Sequence, residues 1–273
     1  MLVLAFGLVI IAGACTGIGA SLVFCKCVTK ENKLLLASAL GFSAGVMLYV
    51  TFIEIFQKSL DGFADSGLLG DSSSGLVYAV TTATFFFGIL LMWGLEKLVD
   101  CLHKKEERLS HMGFMTALAI GIHNFPEGVA TFVATLRDPS FGIVMAFAIG
   151  MHNIPEGMCV SIPLYYADGQ RCKGFLWALL SGVSEPIGAL LAYLVLSEDM
   201  GPTSFGVIFG LVAGMMTYIC LHELIPTAHR YDPNDRLTTL SIIAGMAVMA
   251  ISLVGFSMEV TKNINGTVTN RTY

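Results

Sequence analysis

The sequence predicts an all-α protein that crosses a membrane eight times, and two observations support this fold class. First, 55% of the 273 residues are hydrophobic and only 13% are charged, whereas soluble domains carry about 25% charged residues. Second, the apolar residues form eight runs, each close to the roughly 20 residues that a membrane-spanning helix needs. The predicted spans are residues 2–24, 34–56, 76–99, 114–136, 141–165, 175–196, 205–228 and 237–258. We therefore expect one all-helical membrane domain over residues 1–273.

Each span and connection has a simple interpretation. The first span lacks a basic leading segment and a small-residue cleavage site, so we interpret it as a retained helix rather than a signal peptide. The longest connection, residues 57–75, is rich in Gly, Ser and Asp and is predicted to be a mobile loop. The seven cysteines form no C-x-x-C pair, which argues against a disulfide scaffold. The net charge of −5 gives no reason to expect a nucleic-acid partner.

The orientation in the membrane follows from the lysines and arginines. Eleven of the fifteen fall in the connections after spans 1, 3, 5 and 7, and four fall on the other side. Because basic residues are retained on the cytoplasmic side, both termini are predicted to be extracytoplasmic. Two N-x-[ST] sequons, at Asn265 and Asn270, agree with an outer C-terminus.

A repeated motif lies in spans 4 and 5. Residues 121–130 read GIHNFPEGVA and residues 150–159 read GMHNIPEGMC. In a helix, positions i, i+3 and i+4 share one face, so each motif presents one imidazole, one amide and one carboxylate together. These groups are His123, Asn124 and Glu127 in the first motif, and His152, Asn153 and Glu156 in the second. Each ionisable group costs about 2.5–3.5 kcal/mol at the membrane centre, and no buried Lys or Arg accompanies them, so the acids need protons or metal cations.

The ligand types and their depth favour a metal. Imidazole with oxygen ligands suits zinc, iron(II), manganese or cobalt. Both histidines lie about halfway along consecutive antiparallel spans, so the motifs should meet at the midplane as an inverted repeat, the arrangement of many transporters. Pro126 and Pro155 each remove one helical hydrogen bond and should loosen the helix. Gly128 and Gly157 should allow close helix packing.

Four further polar residues lie in the spans. Glu185, in the string SGVSEP, is interpreted as a metal ligand; the alternative is a kink carboxylate bonded to Ser181 or Ser184. Glu54 could support the ligands, accept a proton or bind metal transiently. His222 and Glu223 could line the cytoplasmic exit path or form a pair at the membrane interface.

H-N-F-P-E-G at residues 123–128, H-N-I-P-E-G at 152–157 and S-G-V-S-E-P at 181–186 resemble the ZIP family of divalent-metal transporters, particularly its ZupT-like branch, over essentially the whole chain. The resemblance implies import of metal across the cell membrane into the cytosol by a homodimer in which one helix bundle moves against another. It also implies a two-metal centre. One site would use His123, Glu127, His152 and Glu156, and the adjacent site Asn124, Asn153 and Glu185, with Glu127 and Glu156 bridging. Glu54 matches an acidic position in the second helix of that branch.

The sequence departs from many animal members in its link between spans 3 and 4, which offers only His103 and His111 and argues against a histidine-rich sensor loop. Two other functions compete with transport of zinc, iron, manganese, cobalt or cadmium. An intramembrane metal-dependent hydrolase is one, but the string HELIP at residues 222–226 lacks the second histidine of H-E-x-x-H. A proton-coupled carrier of an organic substrate is the other. We expect no enzyme activity and no prosthetic group, with the metal as the transported ion.

Overall fold

A computed structural model of the chain describes residues 1–25, 33–67, 75–103, 109–195 and 201–269, and every regular element in these ranges is helical. Short 3₁₀ and π segments, Leu22–Phe24, Thr51–Ile55 and Cys220–Leu224, continue or join the α-helices. The α-helices are α1 Leu2–Ser21, α2 Lys33–Val50, α3 Phe56–Asp65, α4 Gly75–His103, α5 Leu109–Arg137, α6 Pro139–Asp168, α7 Arg171–Gly182, α8 Ser184–Val195, α9 Pro202–Ile219, α10 Ile225–Tyr231 and α11 Thr238–Thr269.

The predicted polytopic all-α architecture is confirmed. Among the described residues, seven helical segments are long and apolar enough to cross a membrane: Leu2–Phe24, Lys33–Asp65, Gly75–Leu98, Pro139–Ile162, Arg171–Val195, Pro202–Tyr231 and Thr238–Gly255. The remaining predicted span, residues 114–136, lies within α5. This helix has 29 residues and is therefore about 43 Å long at 1.5 Å per residue, which exceeds the hydrocarbon thickness of about 30 Å.

The helices pack as two bundles. The first bundle contains α1 and α5–α8, and the second contains α2–α4 and α9–α11; they meet mainly where α2 packs on α6 and α5 on α9. Glycines bring backbones together inside each bundle. A Cβ added to Gly19 of α1 would lie 1.7 Å from the Ile154 carbonyl oxygen of α6, and one added to Gly45 of α2 would lie 2.0 Å from the Ile242 oxygen of α11. For every described glycine at which an added Cβ would lie closer than 3.0 Å to another atom, that atom belongs to the same bundle.

The long connection is shorter than the sequence predicted. Residues 57–65 were expected in a loop, but α3 extends to Asp65, and residues 68–74 lie outside the described ranges. Leu60 and Phe63 are buried together with Val77 of α4, so this segment packs as an amphipathic helix. Gly62, which favoured a loop, instead permits close contact with α9: an added Cβ would lie 2.6 Å from the Gly206 nitrogen.

Candidate metal centre

Three side chains from α5 and α6 converge in the interior. Glu127, His152 and Glu156 each offer a ligand atom, and these atoms all lie within 4.8 Å of one another. Glu127 and His152 have no exposed surface, and Glu156 is 3% exposed. Glu127 Oε1 and His152 Nε2 are 3.2 Å apart. Such a group of one imidazole and two carboxylates matches the ligands that zinc and similar divalent ions take in proteins.

The motif glycines explain how this cluster forms between crowded helices. A Cβ added to Gly128 of α5 would lie 2.1 Å from the Glu185 carbonyl oxygen in α8, and one added to Gly157 of α6 would lie 2.0 Å from the Thr16 oxygen in α1. Any larger residue would push these helices apart. Helices α5 and α6 continue through Pro126 and Pro155, although each proline removes one main-chain hydrogen bond. The packed neighbours hold the helical path.

Glu185 lies beside this cluster and is held by an asparagine. Its side chain is fully buried, and the Asn153 Nδ2 group donates to Glu185 Oε1 at 2.5 Å and to the Ala12 carbonyl oxygen at 3.0 Å. The alternative partners, Ser181 and Ser184, donate instead to main-chain oxygens of their own helical turns. The interpretation of Glu185 as a serine-bonded kink carboxylate therefore does not describe this site.

Several of these buried atoms lack a hydrogen bond from any described residue. They are both carboxylate oxygens of Glu127, both ring nitrogens of His152, Asn153 Oδ1 and Glu185 Oε2; the 3.2 Å contact of Glu127 with His152 is an ion-pair distance without hydrogen-bond geometry. Buried polar atoms in proteins are nearly always bonded. No described Lys or Arg pairs with Glu127 or Glu185. A cation would satisfy the carboxylate and amide oxygens and one of the two ring nitrogens of His152, since a neutral imidazole has a single acceptor nitrogen.

Of the three polar side chains in the first motif, the structure describes those of Asn124 and Glu127. Asn124 is completely buried on α5, one helical turn before Glu127. His123 also belongs to α5, but its side chain lies outside the described residues. Its role as a ligand therefore stays a prediction.

Comparison with known proteins decides the family. The sequence model described as "ZIP Zinc transporter" matches residues 100–253, which is more than half of the chain.

The chain belongs to the ZIP family of zinc transporters.

Individual relatives support this membership over nearly the full length. The zinc transporter ZupT of Nitratidesulfovibrio vulgaris is 47% identical, over 93% of this chain and 97% of that protein. The ZupT proteins of Lysinibacillus sphaericus and Oceanobacillus iheyensis are 46% and 45% identical, over 92% and 93% of this chain and 97% and 98% of their own lengths. The chain is thus a multi-pass membrane transporter of the divalent-metal class, and these relatives give the hydrolase alternative no support.

Two π-helical turns in the ZIP-family chain were not predicted from the sequence. Thr51–Ile55 contains Glu54, and Cys220–Leu224 contains His222 and Glu223. Such turns are rare and often occur at functional sites. The second had one detectable signal: Pro226 cannot donate to the carbonyl of residue 222, so the helical hydrogen bonding must change there. The first had none.

The structure separates the three remaining candidate residues. His222 is 54% exposed, and its Nδ1 lies 3.3 Å from Oε2 of Glu96 in α4, an oxygen that also accepts from the Tyr218 hydroxyl at 2.5 Å. Glu54 is half-buried, and the charges that act on it are those of Lys58 and Asp61 in its own helical segment. Glu223 is half-buried and within electrostatic range of Glu156. Of the three, Glu223 is the one whose charge acts on a residue of the ligand cluster, Glu156.

Proposed function

We propose that this ZIP-family protein transports zinc into the cytoplasm through a binding site formed by Glu127, His152 and Glu156, and that iron, manganese, cobalt and cadmium ions compete for it. The observation that supports the proposal is the cluster of buried ligand atoms within 4.8 Å of one another, several without a described hydrogen-bond partner. Transport requires binding strong enough to replace the hydration shell of the ion, and a buried imidazole with two carboxylates can do so.

A second metal position fits beside the first. Asn153 uses its amide nitrogen to hold Glu185 Oε1, which leaves Asn153 Oδ1 and Glu185 Oε2 without a described hydrogen bond. The charges of Glu127 and Glu156 both act on Glu185, and we infer that these two carboxylates bridge the two positions. Asn124 would complete the second position from α5, and His123 the first.

The packing supports movement of the site as a unit. The proposed ligands lie on α5, α6 and α8, all in the first bundle, and glycines fasten those helices to one another rather than to the second bundle. Between the ligand region and the second bundle, Ser43 of α2 donates to the His152 carbonyl oxygen at 3.4 Å, and no described glycine brings backbones together there as closely as within the bundles. We infer that the first bundle slides against the second and carries the ions with it.

One cross-bundle cluster should open and close during this movement. Arg137, at the end of α5, bonds Asp65 at 3.0 Å and covers the Phe205 ring of α9 at 4.2 Å. In the predicted orientation these residues lie on the outer side. At the opposite end, Glu223 of the second bundle would receive the ion from Glu156 as the bundles shift.

The chain is expected to act as one transport unit over residues 1–273, with both termini outside the cytoplasm, in the cell membrane and as a homodimer. These proposals rest on the distribution of Lys and Arg and on the family resemblance. No prosthetic group is required, because the bound metal is the substrate.

Metal flux into proteoliposomes tests the proposed function directly. Purified protein is reconstituted around a zinc-sensitive dye, and zinc is added outside. We expect influx that competing iron(II), manganese, cobalt or cadmium reduces, and that Glu127→Ala and Glu156→Ala each abolish. Glu96→Ala is the matched control, because Glu96 of α4 contacts Tyr218 and His222 and is not one of the three ligands. Influx that persists at the original rate in both site variants would contradict the proposal.

A further inference from the structure

An apolar cleft of about 780 Å³ lies between the two bundles. Leu91 of α4 and Leu211 of α9 line it on one side, and residues of α5, α7 and α8, including Trp177, line it on the other. Its lining positions on α4, α7, α8 and α9 fall within helical segments that are long and apolar enough to cross a membrane.

The cleft uses the reverse face of the first repeated motif. Ile122, Phe125 and Val129 line it, and their spacing of three and four residues defines one stripe of α5. Asn124 and Glu127, between them in sequence, are buried elsewhere on the same helix and belong to the candidate metal centre. The apolar residues of GIHNFPEGVA therefore line a cleft that is separate from the candidate metal centre.

The cleft is continuous with the part of the surface that faces the bilayer. Among its lining residues, Leu180 is 59% exposed, Ile187 is 49% exposed and Leu91 is 38% exposed. Its two serines already donate to main-chain oxygens three residues earlier, Ser181 to that of Ala178 and Ser184 to that of Ser181. The described lining therefore has no hydroxyl proton directed at a polar ligand, and apolar cavities of this kind do not hold water stably.

We propose that an acyl chain of a membrane lipid occupies this cleft. At the depth of Leu91 and Leu180 the surrounding medium is hydrocarbon, which is as apolar as leucine itself. A flexible chain can follow a cleft between two helix bundles, and the bilayer supplies such chains at solvent concentration. The acyl chain would contact both bundles at once, so its position in the cleft would change whenever the bundles shift.

The two tryptophans of the protein allow a direct test. Trp177 lines the cleft, whereas Trp93 is 51% exposed on α4, and the sequence has only these two. Trp93→Phe leaves Trp177 as the single reporter in vesicles of phosphatidylcholine with brominated acyl chains, where bromine quenches a ring that it touches. We expect strong quenching of Trp177. The complementary Trp177→Phe protein reports quenching by the bulk lipid.

Filling the cleft with a larger side chain should protect Trp177, and not Trp93, from quenching by the brominated acyl chains. Gly121 has room for a side chain, because an added Cβ would lie 3.8 Å from its nearest neighbour, Cβ of Ser184. Gly121→Leu, added to Trp93→Phe, is expected to reduce the quenching of Trp177 at least twofold and to leave that of Trp93 unchanged in the complementary protein. Gly94→Leu is the matched control: an added Cβ there meets nothing within 4 Å, and no quenching should change.

The opposite results would overturn the proposal. Val129→Phe fills the same cleft from another position and should reproduce the effect of Gly121→Leu if that variant fails to fold. Quenching of Trp177 that stays unchanged in folded filling variants would exclude the acyl chain. Weak quenching in the parent protein, with loss of an oligomer in the filling variants, would identify a second copy as the occupant. None of these readouts depends on metal, so failure here is distinct from failure of the proposed function.

Discussion

Replacing Glu127 by glutamine should stabilise the metal-free protein and remove its stabilisation by zinc. The glutamine keeps the volume of the side chain and removes one buried charge. The ligand atoms of Glu127 and Glu156 lie within 4.8 Å of each other. Two ionised carboxylates at that distance would repel by about 3.5 kcal/mol at an effective dielectric constant of 20, and uptake of a proton by one of them relieves part of this repulsion. His152, 3.2 Å from Glu127, offsets part of this repulsion when it is protonated, so we expect a net gain of about 1–2 kcal/mol.

Zinc should make the wild type more stable than Glu127→Gln, the reverse of the order expected without metal. Metal that binds only the folded protein at a hundred times its Kd adds about 2.7 kcal/mol, and each kcal/mol corresponds to about 2–4 °C in Tm for a chain of this order of size. We therefore expect the wild type to gain about 5–10 °C with zinc. Glu127→Gln should start several degrees higher without metal and gain little.

The assay is thermal unfolding followed by tryptophan fluorescence, in detergent, with the metal stripped and then restored. Glu96→Gln is the matched control, because this carboxylate accepts from Tyr218 outside the cluster; it should not raise the metal-free Tm and should keep the zinc response. A Glu127→Gln protein that is less stable than the wild type without metal, and that still responds fully to zinc, would refute the electrostatic reasoning.

Three further predictions concern binding, pH and packing. Asn153→Ala removes the amide that orients the neighbouring carboxylate and should weaken zinc binding about 10- to 100-fold in calorimetric titration; an unchanged Kd would contradict it. The main-chain N–H of Leu237 donates to Asp232 and holds the pKa of that carboxyl below its ordinary value. This stabilisation is complete above an unfolded pKa of about 3.9 and lost as the pH falls through the folded pKa. The Tm advantage of the wild type over Asp232→Asn should therefore be constant near neutral pH and shrink below about pH 4, and an advantage independent of pH would count against it. Gly19→Leu should abolish the folded, monodisperse protein seen in gel filtration because it collides with α6, whereas Gly94→Leu should not; folded Gly19→Leu protein would show that the packing is looser than described.

Much of the site could be predicted because its signals are local. His152 and Glu156 are four residues apart, so any helix places them on one face, and their charge inside an apolar span demands a cation or a proton. The cluster of Glu127, His152 and Glu156 has this arrangement. The spans were predictable for the same reason, since length and hydropathy suffice to identify them.

What the sequence could not predict depends on contacts between distant segments. The amide of Asn153 turns to Glu185, 32 residues away, and only the packing of α6 and α8 on α1 and α5 decides that orientation. Glycine is a common loop residue, so Gly62 favoured a loop in the sequence. In the structure it lies in α3, where its lack of a side chain allows close packing on α9. His222 and Glu223 are adjacent, and the π turn around them leaves one beside Glu96 and the other within range of Glu156.

The same limit applies to the division into bundles. The glycines are visible in the sequence, but their partners are not, and the partners determine which helices form one rigid body. Gly45 of α2 packs on α11 and Gly128 of α5 packs on α8; neither pairing follows from the order of the helices in the chain.

The coordination shell of bound zinc tests the central claim most directly. X-ray absorption at the zinc edge, on protein loaded with less than one equivalent, should show only nitrogen and oxygen ligands at about 2.0–2.2 Å. It should also show imidazole scattering that falls in His152→Ala and not in the control His229→Ala, which alters a residue of α10. Cys159 and Cys220 lie within electrostatic range of Glu156. A zinc–sulfur shell at about 2.3 Å, or imidazole scattering that His152→Ala leaves unchanged, would contradict the assigned site.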